Sequence, residues 1–74
     1  MFIKATAIRN CDDIDKEYPF FLNLDTVESI DLIDGKMIVF YKNKDSEGEY
    51  FSDTLKNSLE EINKKLKDVG VIKQ

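Results

Sequence analysis

The dipeptide Asp34-Gly35 constrains the fold of this chain more than any other feature of its sequence. It separates two runs that are rich in β-branched and apolar residues, at residues 27–33 and 36–42. A two-residue hairpin turn of type I′ needs positive φ at both central positions, and Asp-Gly is one of the pairs that best adopts it. The sequence therefore predicts an antiparallel hairpin with its turn at Asp34-Gly35.

Three further short strands are predicted around this hairpin. Apolar and β-branched runs indicate strands at about residues 2–8, 20–23 and 49–52. The polar, acidic stretch at residues 9–18 precedes Pro19, which disfavours a helix before it and a central position in a sheet. We therefore expect residues 9–18 to form a loop.

A C-terminal amphipathic helix is predicted at about residues 53–69. Apolar residues recur there at intervals of four and three, which places them on one face of a helix. These residues are Leu55, Leu59, Ile62, Leu66 and Val69. Ser52 or Asp53 suits the first cap, whereas Ser58 and Glu61 form the pattern of a capping box and offer a second start.

The order of these elements predicts one α+β domain that covers residues 1–74. A sheet with an apolar face and a helix with an apolar stripe must bury them against each other. The five short antiparallel strands are expected to form either a curved sheet or a small SH3-like barrel, and the sequence leaves both open. Gly70 suits the left-handed position after the helix, where Val71 would contact the last turn.

Composition limits the staples and partners of so short a chain, which has 74 residues. Its single cysteine, Cys11, excludes an internal disulfide, and without any histidine it cannot assemble a structural zinc site. The net charge of −4 argues against a nucleic-acid partner. Because no apolar run suits a signal peptide or a membrane span, we expect no membrane partner and a cytoplasmic location in a bacterium or a host cell.

Few parts of a catalytic or ligand-binding centre can be assembled from this sequence. Cys11 has no histidine to activate it. The carboxylates of Asp13, Asp15 and Glu17 alternate, but the glycine and the later glutamate of a calcium loop are missing. The three glycines are isolated and form no phosphate cradle. The chain is therefore predicted not to be an enzyme, with no catalytic residue, no metal site and no cofactor.

Residues 21–30, with the sequence FLNLDTVESI, follow the pattern aromatic-Leu-Asn-x-Asp-x-apolar-Glu-x-Ile, and residues 58–62 follow with Ser-x-Glu-Glu-Ile. This pattern resembles the small flagellar FlbD-type proteins and similar short proteins of phages and mobile elements. The chain departs from them at residues 9–18, which replace a tight turn, and at residues 42–49, which form a longer connection. The resemblance implies a small non-enzymatic accessory or interaction module of phage or bacterial origin.

The register of the predicted hairpin assigns its residues to two faces, because directly opposed residues share a face and neighbours alternate. The expected pairs are Ile33–Lys36, Leu32–Met37, Ile30–Val39 and Glu28–Tyr41. The expected seat of the helix is the face with Ile30, Leu32, Met37 and Val39. The other face carries Val27, Ser29, Asp31, Ile33, Ile38 and Phe40, and it is too apolar to remain in water. We therefore predict a homodimer, whereas closure into a barrel would leave a monomer. The candidate interface residues are Val27, Ile33, Ile38 and Phe40.

These observations favour a protein-binding module over chemistry. In view of the resemblance, the expected role is that of a phage or mobile-element accessory protein that binds or inhibits a host protein of unknown identity. The alternative is a protein that sequesters a small ligand, such as a nucleotide or metabolite. In so small a domain, the pocket for that ligand would form between two subunits.

Overall fold

The computed structural model describes residues 1–70, which form one five-stranded antiparallel sheet and a C-terminal α-helix. The elements are β1 (Phe2–Cys11), β2 (Ile14–Asn23), a 3-10 turn (Leu24–Thr26), β3 (Val27–Ile33), β4 (Lys36–Lys44), β5 (Tyr50–Leu55) and α1 (Leu59–Asp68). The strand order is β2-β1-β5-β4-β3, with β2 and β3 at the two edges. The predicted α+β class is confirmed, and the sheet is open, so the barrel alternative is wrong.

The β3–β4 hairpin is confirmed at its turn and in most of its register. Asp34 and Gly35 have φ values of 50° and 76°, as a type I′ turn requires. The pairs Ile33–Lys36, Leu32–Met37 and Ile30–Val39 are all observed.

The expected pair Glu28–Tyr41 is wrong, because β3 contains a bulge. Tyr41 pairs with Val27, and the register shifts between Val27 and Ser29. An extra residue in one strand reverses the facing of all residues beyond it. Val27 therefore lies on the same face as Val39 and packs against the core, which corrects its assignment to the other face.

Residues 9–18 form the end of a long hairpin, so the predicted loop is wrong. β1 and β2 pair without interruption from Phe2–Asn23 to Cys11–Ile14. Asp12 and Asp13 connect them with φ values of 53° and 63°. Aspartate is one of the few residues besides glycine that tolerates this region, so two acidic residues can make a type I′ turn.

Pro19 is compatible with this hairpin because of its position in an edge strand. It lies opposite Thr6 in β1. The amide of Thr6 donates to the side chain of Asn57 at 2.8 Å, and its carbonyl accepts from Lys56 at 2.8 Å. Because these groups of Thr6 point away from β2, the pair forms no hydrogen bonds and Pro19 removes none from the sheet.

The second of the two predicted helix starts is the correct one. Ser58 caps α1 by accepting from the amide of Glu61 at 3.2 Å, and the Glu61 side chain accepts from the amide of Ser58. The start at Ser52 or Asp53 is wrong, because residues 50–55 belong to β5. The predicted contact of Val71 with the last turn lies outside the described residues.

One face of the sheet packs against α1 and forms the core. Its buried residues are Ile3, Ala5, Leu22, Met37, Val39 and Leu55, together with Ile62 of the helix. Leu66 and Val69 pack at the margin of this cluster. Leu59 is 47% exposed, so its predicted burial is wrong. None of the helical structure within residues 1–70 has the length and apolar character needed to cross a membrane.

Candidate functional site: the open face of the sheet

The face of the sheet opposite α1 is not covered by any element within residues 1–70, and we call it the open face. Its members follow from the strand register, since each alternates with a residue of the core face. They are Phe2, Lys4, Thr6, Ile8 and Asn10 of β1, Asp15, Glu17, Pro19 and Phe21 of β2, Ser29, Asp31 and Ile33 of β3, Lys36, Ile38 and Phe40 of β4, and Ser52 and Thr54 of β5.

Apolar side chains occupy two parts of the open face. On β1 and β2, Phe2 and Phe21 are 59% and 72% exposed. On β3, Ile33 is 41% exposed, whereas Ile38 and Phe40 of the neighbouring β4 are half-buried by the strands around them. An antiparallel sheet that turns one face to water is normally polar on that face.

Three of the four candidate interface residues lie together on the open face: Ile33, Ile38 and Phe40. Val27 does not, because of the bulge in β3. Phe2 and Phe21 were not among the candidates. Residues 9–18 were expected to form a loop, so the pairing of β1 with β2 that makes the two rings diagonal neighbours was not predicted. Its signal was the pair Asp12-Asp13 between two runs of similar length.

A groove of about 620 Å³ lies at the end of the sheet that holds the β3–β4 turn and the connection from β5 to α1. Its lining includes Ile8 and Thr54 of the open face, but also Leu32, Met37 and Leu55 of the core face and Leu59 at the start of α1. Charged side chains line it as well: Lys36 at the start of β4, Lys56 directly after β5 and Asp15 on β2. The lining of the groove therefore combines apolar side chains with charged side chains of both signs.

Basic side chains of the open face lie at one level along the strands and acidic ones at the next, and the two groups meet at the Lys56–Glu17 ion pair. Lys4 belongs to the first group and Asp31 to the second. Lys36 and Lys56 lie near the end of the sheet that holds the β3–β4 turn. Asp15 and Glu17 lie on the edge strand β2, opposite Asn10 and Ile8. Lys56 forms an ion pair with Glu17, and their hydrogen bond raises the pKa of the Lys56 ammonium. Asp15 accepts from the Asn10 amide at 3.1 Å.

A second polar cluster lies on the helix side of the sheet. Arg9 donates from Nε and Nη2 to Oδ1 of Asp53 at 3.3 and 3.1 Å, and the Tyr41 hydroxyl donates to Oδ2 at 2.7 Å. The Arg9 guanidinium also lies 5.4 Å from the ring centre of Tyr18. Burial, and then the bond to Asp53, raises the pKa of the Tyr41 phenol. Both carboxylate oxygens of Asp53 have donors, so this cluster joins β1, β4 and β5.

The remaining candidates for chemistry are distributed around the β1–β2 turn. Cys11 is a half-buried free thiol at the end of β1. Asp13 lies in the turn itself, whereas Asp15 and Glu17 point to the open face. Within residues 1–70, no three potential metal-ligating side chains converge.

Comparison of the chain with family profiles, with curated proteins and with solved structures finds no match. The resemblance to flagellar FlbD-type and phage proteins therefore stays a prediction from residues 21–30 and 58–62. A functional proposal has to rest on the geometry of the open face.

Proposed function

We propose that the chain is a non-enzymatic protein-interaction module and that the open face of its sheet is the binding surface. The observation that carries this proposal is the presence of two apolar groups on an uncovered sheet face. Phe2 and Phe21 are exposed on β1 and β2, and Ile33, Ile38 and Phe40 lie on β3 and β4. Large exposed apolar patches on small proteins usually mark an interaction site. Aromatic side chains are also enriched at the centres of protein interfaces.

The edges of the sheet favour binding through the face over the addition of another strand. β2 presents Pro19 and the charged run from Asp15 to Glu17 along its free side. β3 has only 7 residues and is interrupted by its bulge. Proline, charges, bulges and short length are the features that protect an edge strand from pairing with another chain. A partner therefore meets fewer obstacles at the open face.

The sequence resemblance supports a role for this module as an accessory protein of a phage or mobile element. In that role it binds or inhibits a host protein in the cytoplasm. The absence of an activated nucleophile in the sequence agrees with a binding role, because Cys11 has no histidine to pair with.

Site-specific photo-crosslinking tests this proposal. A photoreactive phenylalanine analogue replaces Ile38 on the open face, and in a control chain it replaces Lys64 on the exposed side of α1. Irradiation of cells that naturally contain the chain should give discrete protein adducts from position 38 and none from position 64. The proposal is wrong if position 38 gives no adduct, or if both positions give the same set.

The groove supports a second candidate function, the binding of a small ligand. Its volume of about 620 Å³ lies in the range of known ligand sites. Its apolar lining residues and the lysines Lys36 and Lys56 would suit a ligand with a ring and an acidic group. A panel of nucleotides tests this candidate, because a bound nucleotide raises the melting temperature by mass action. If no nucleotide shifts the melting temperature at millimolar concentration, this candidate fails for that class.

A further inference from the structure

We infer that the partner seated on the open face is a second copy of the same chain, packed face to face about a two-fold axis that places Lys36 of each copy against Asp15 of the other. This inference rests on the proposed function, since it assigns the partner of the same surface. Two features support it: the area of the face, and the unpaired opposite charges of Lys36 and Asp15.

The area of the open face is sufficient for a dimer. Five strands at a spacing of about 4.8 Å make it about 24 Å wide, and six residues at about 3.3 Å make it about 20 Å long. The flat footprint is therefore about 500 Å² per copy, or about 1,000 Å² for the pair, which is the lower limit for a specific interface. The relief of side chains such as Ile38 and Phe40 adds to this area. Two sheets packed face to face also form the usual β-sandwich layer, about 10 Å apart.

Lys36 and Asp15 lie too far apart to pair within one copy. They lie on β4 and β2, which are three strand spacings apart in the sheet. Through the strand register, Lys36 is level with Thr6 and Asp15 is level with Asn10, four residues further along β1. Together these offsets separate the two backbones by about 20 Å. Within residues 1–70, neither side chain makes an ion pair.

A two-fold axis between two facing sheets lies in the plane of the interface and exchanges positions on either side of it. The midpoint between Lys36 and Asp15 falls between Ile8 and Thr54, which pair between β1 and β5. An axis through this midpoint, perpendicular to the line between the two charges, runs toward Phe40. The lysine of each copy then meets the carboxylate of the other, and Phe40 meets its own equivalent. Because such an interface is isologous, the ion pair forms twice.

The first test is the mass of the purified chain at micromolar concentration, measured by light scattering and by sedimentation equilibrium. We expect twice the chain mass of 8.6 kDa. A monomer at every concentration up to the solubility limit would overturn the inference. The proposed function would survive that result if position 38 still crosslinks to another protein in cells, so the two failures are distinguishable.

Charge exchange between copies tests the register of the dimer. The variants Lys36→Glu and Asp15→Lys each place like charges together twice, so each should weaken self-association about tenfold. An equimolar mixture of the two variants restores both attractive pairs and should form a heterodimer about as tight as the unmodified dimer. Lys64→Glu on α1 makes the same charge change away from the open face and should leave the dissociation constant unchanged.

Each outcome of the exchange experiment decides the inference. Circular dichroism of each variant first shows that the fold is kept, since both side chains are exposed. Recovery of association only in the mixture supports the proposed register. The register is wrong if the single variants associate like the unmodified chain, or if the mixture associates no better than either variant alone.

Discussion

The two faces of the sheet are built from the same five strands, but they differ in how much of their apolar surface the chain itself buries. On the core face of β1, Ile3, Ala5 and Ala7 are 4%, 1% and 0% exposed. On the open face of the same strand, Phe2 is 59% exposed and Ile8 is half-buried. β1 thus carries large apolar side chains on both faces, and those on the core face are the fully buried ones.

The apolar content of a strand therefore does not by itself reveal which face a single chain buries. α1 is 10 residues long and covers only part of one face of the sheet, where Leu32 and Phe51 stay 56% and 54% exposed. The other face carries more apolar surface than contact with water explains. A chain of this size buries a smaller fraction of its surface than a larger one, so a partner on the open face would add to a limited core.

The largest expected effect comes from the core face. Ile62 is 1% exposed and lies at the centre of the contact between α1 and the sheet. Ile62→Ala should lower the free energy of unfolding by about 2–5 kcal/mol, because the cavity adds to the lost burial. Urea denaturation measures this loss, and Lys64→Ala on the exposed side of α1 is the control. A loss as small as that of the control would mean that α1 does not pack by this face.

The next effect concerns the turn that assigns residues to the two faces. Gly35 has a φ of 76°, which a β-branched residue adopts only with strain. Gly35→Val should therefore cost about 1–3 kcal/mol in thermal or urea unfolding. Gly35→Asn is the matched control, because asparagine tolerates positive φ and should retain most of the stability. Equal stability of the valine variant and the unmodified chain would contradict the type I′ turn.

The two hairpins show what the sequence could predict of the fold and why part of it was missed. Asp34-Gly35 contains the glycine that identifies a type I′ turn, so β3, β4 and most of their register followed from it. Asp12-Asp13 makes the same turn without glycine, within an acidic run that resembles a loop. Proline is excluded from the centre of a sheet, but Pro19 lies in an edge strand at a non-hydrogen-bonded position, which accepts proline.

The helix start shows a different limit of sequence patterns. Leu55 fits the helical stripe by its spacing, yet it is buried from β5 instead. A strand and a following helix that pack on the same core both place apolar residues toward it. The spacing of apolar residues therefore does not show where the strand ends and the helix begins. The capping box at Ser58 and Glu61 separated the two elements, because it satisfies backbone groups at one defined position.

The residues of the candidate site could be predicted only in strands whose pairing register could be predicted. Ile33, Ile38 and Phe40 were assigned to the open face by the β3–β4 turn. The bulge that moves Val27 to the core has no strong signal in the sequence, since it depends on packing between finished strands. The contribution of β1 and β2 required the second turn to be recognised.

An intermediate effect is expected at Tyr41, a polar group on the core side of the sheet. Tyr41→Phe removes the 2.7 Å bond to Asp53, and it should cost about 1 kcal/mol near pH 7. Because burial and this bond raise the pKa of the phenol, the folded chain keeps the proton more tightly than the unfolded chain. That part of the stability is complete below pH about 10, and it is lost as the pH rises above the pKa of the unfolded phenol.

The measurement for Tyr41 is the free energy of unfolding between pH 7 and pH 11. The unmodified chain should lose stability on the alkaline side more steeply than Tyr41→Phe, so that the two curves converge. Tyr50→Phe, at a tyrosine that is 42% exposed, is the control for the loss of a phenol. Parallel curves for the unmodified chain and Tyr41→Phe would show that the bond to Asp53 does not shift the titration.

The smallest effect on the fold, and the sharpest contrast between the faces, is expected at Ile38. Ile38→Ala removes the same atoms as Ile62→Ala, but from a half-buried side chain on the open face. In dilute solution, where any dimer has dissociated, it should cost about 1 kcal/mol or less.

At high protein concentration the unmodified chain should gain stability by association, whereas the variant should gain less. Melting curves across a hundredfold range of concentration therefore separate the contribution of Ile38 to the fold from its contribution to the interface. If Ile38→Ala lowers the melting temperature equally at every concentration, Ile38 supports the monomer alone and the open face does not bind a second copy through it.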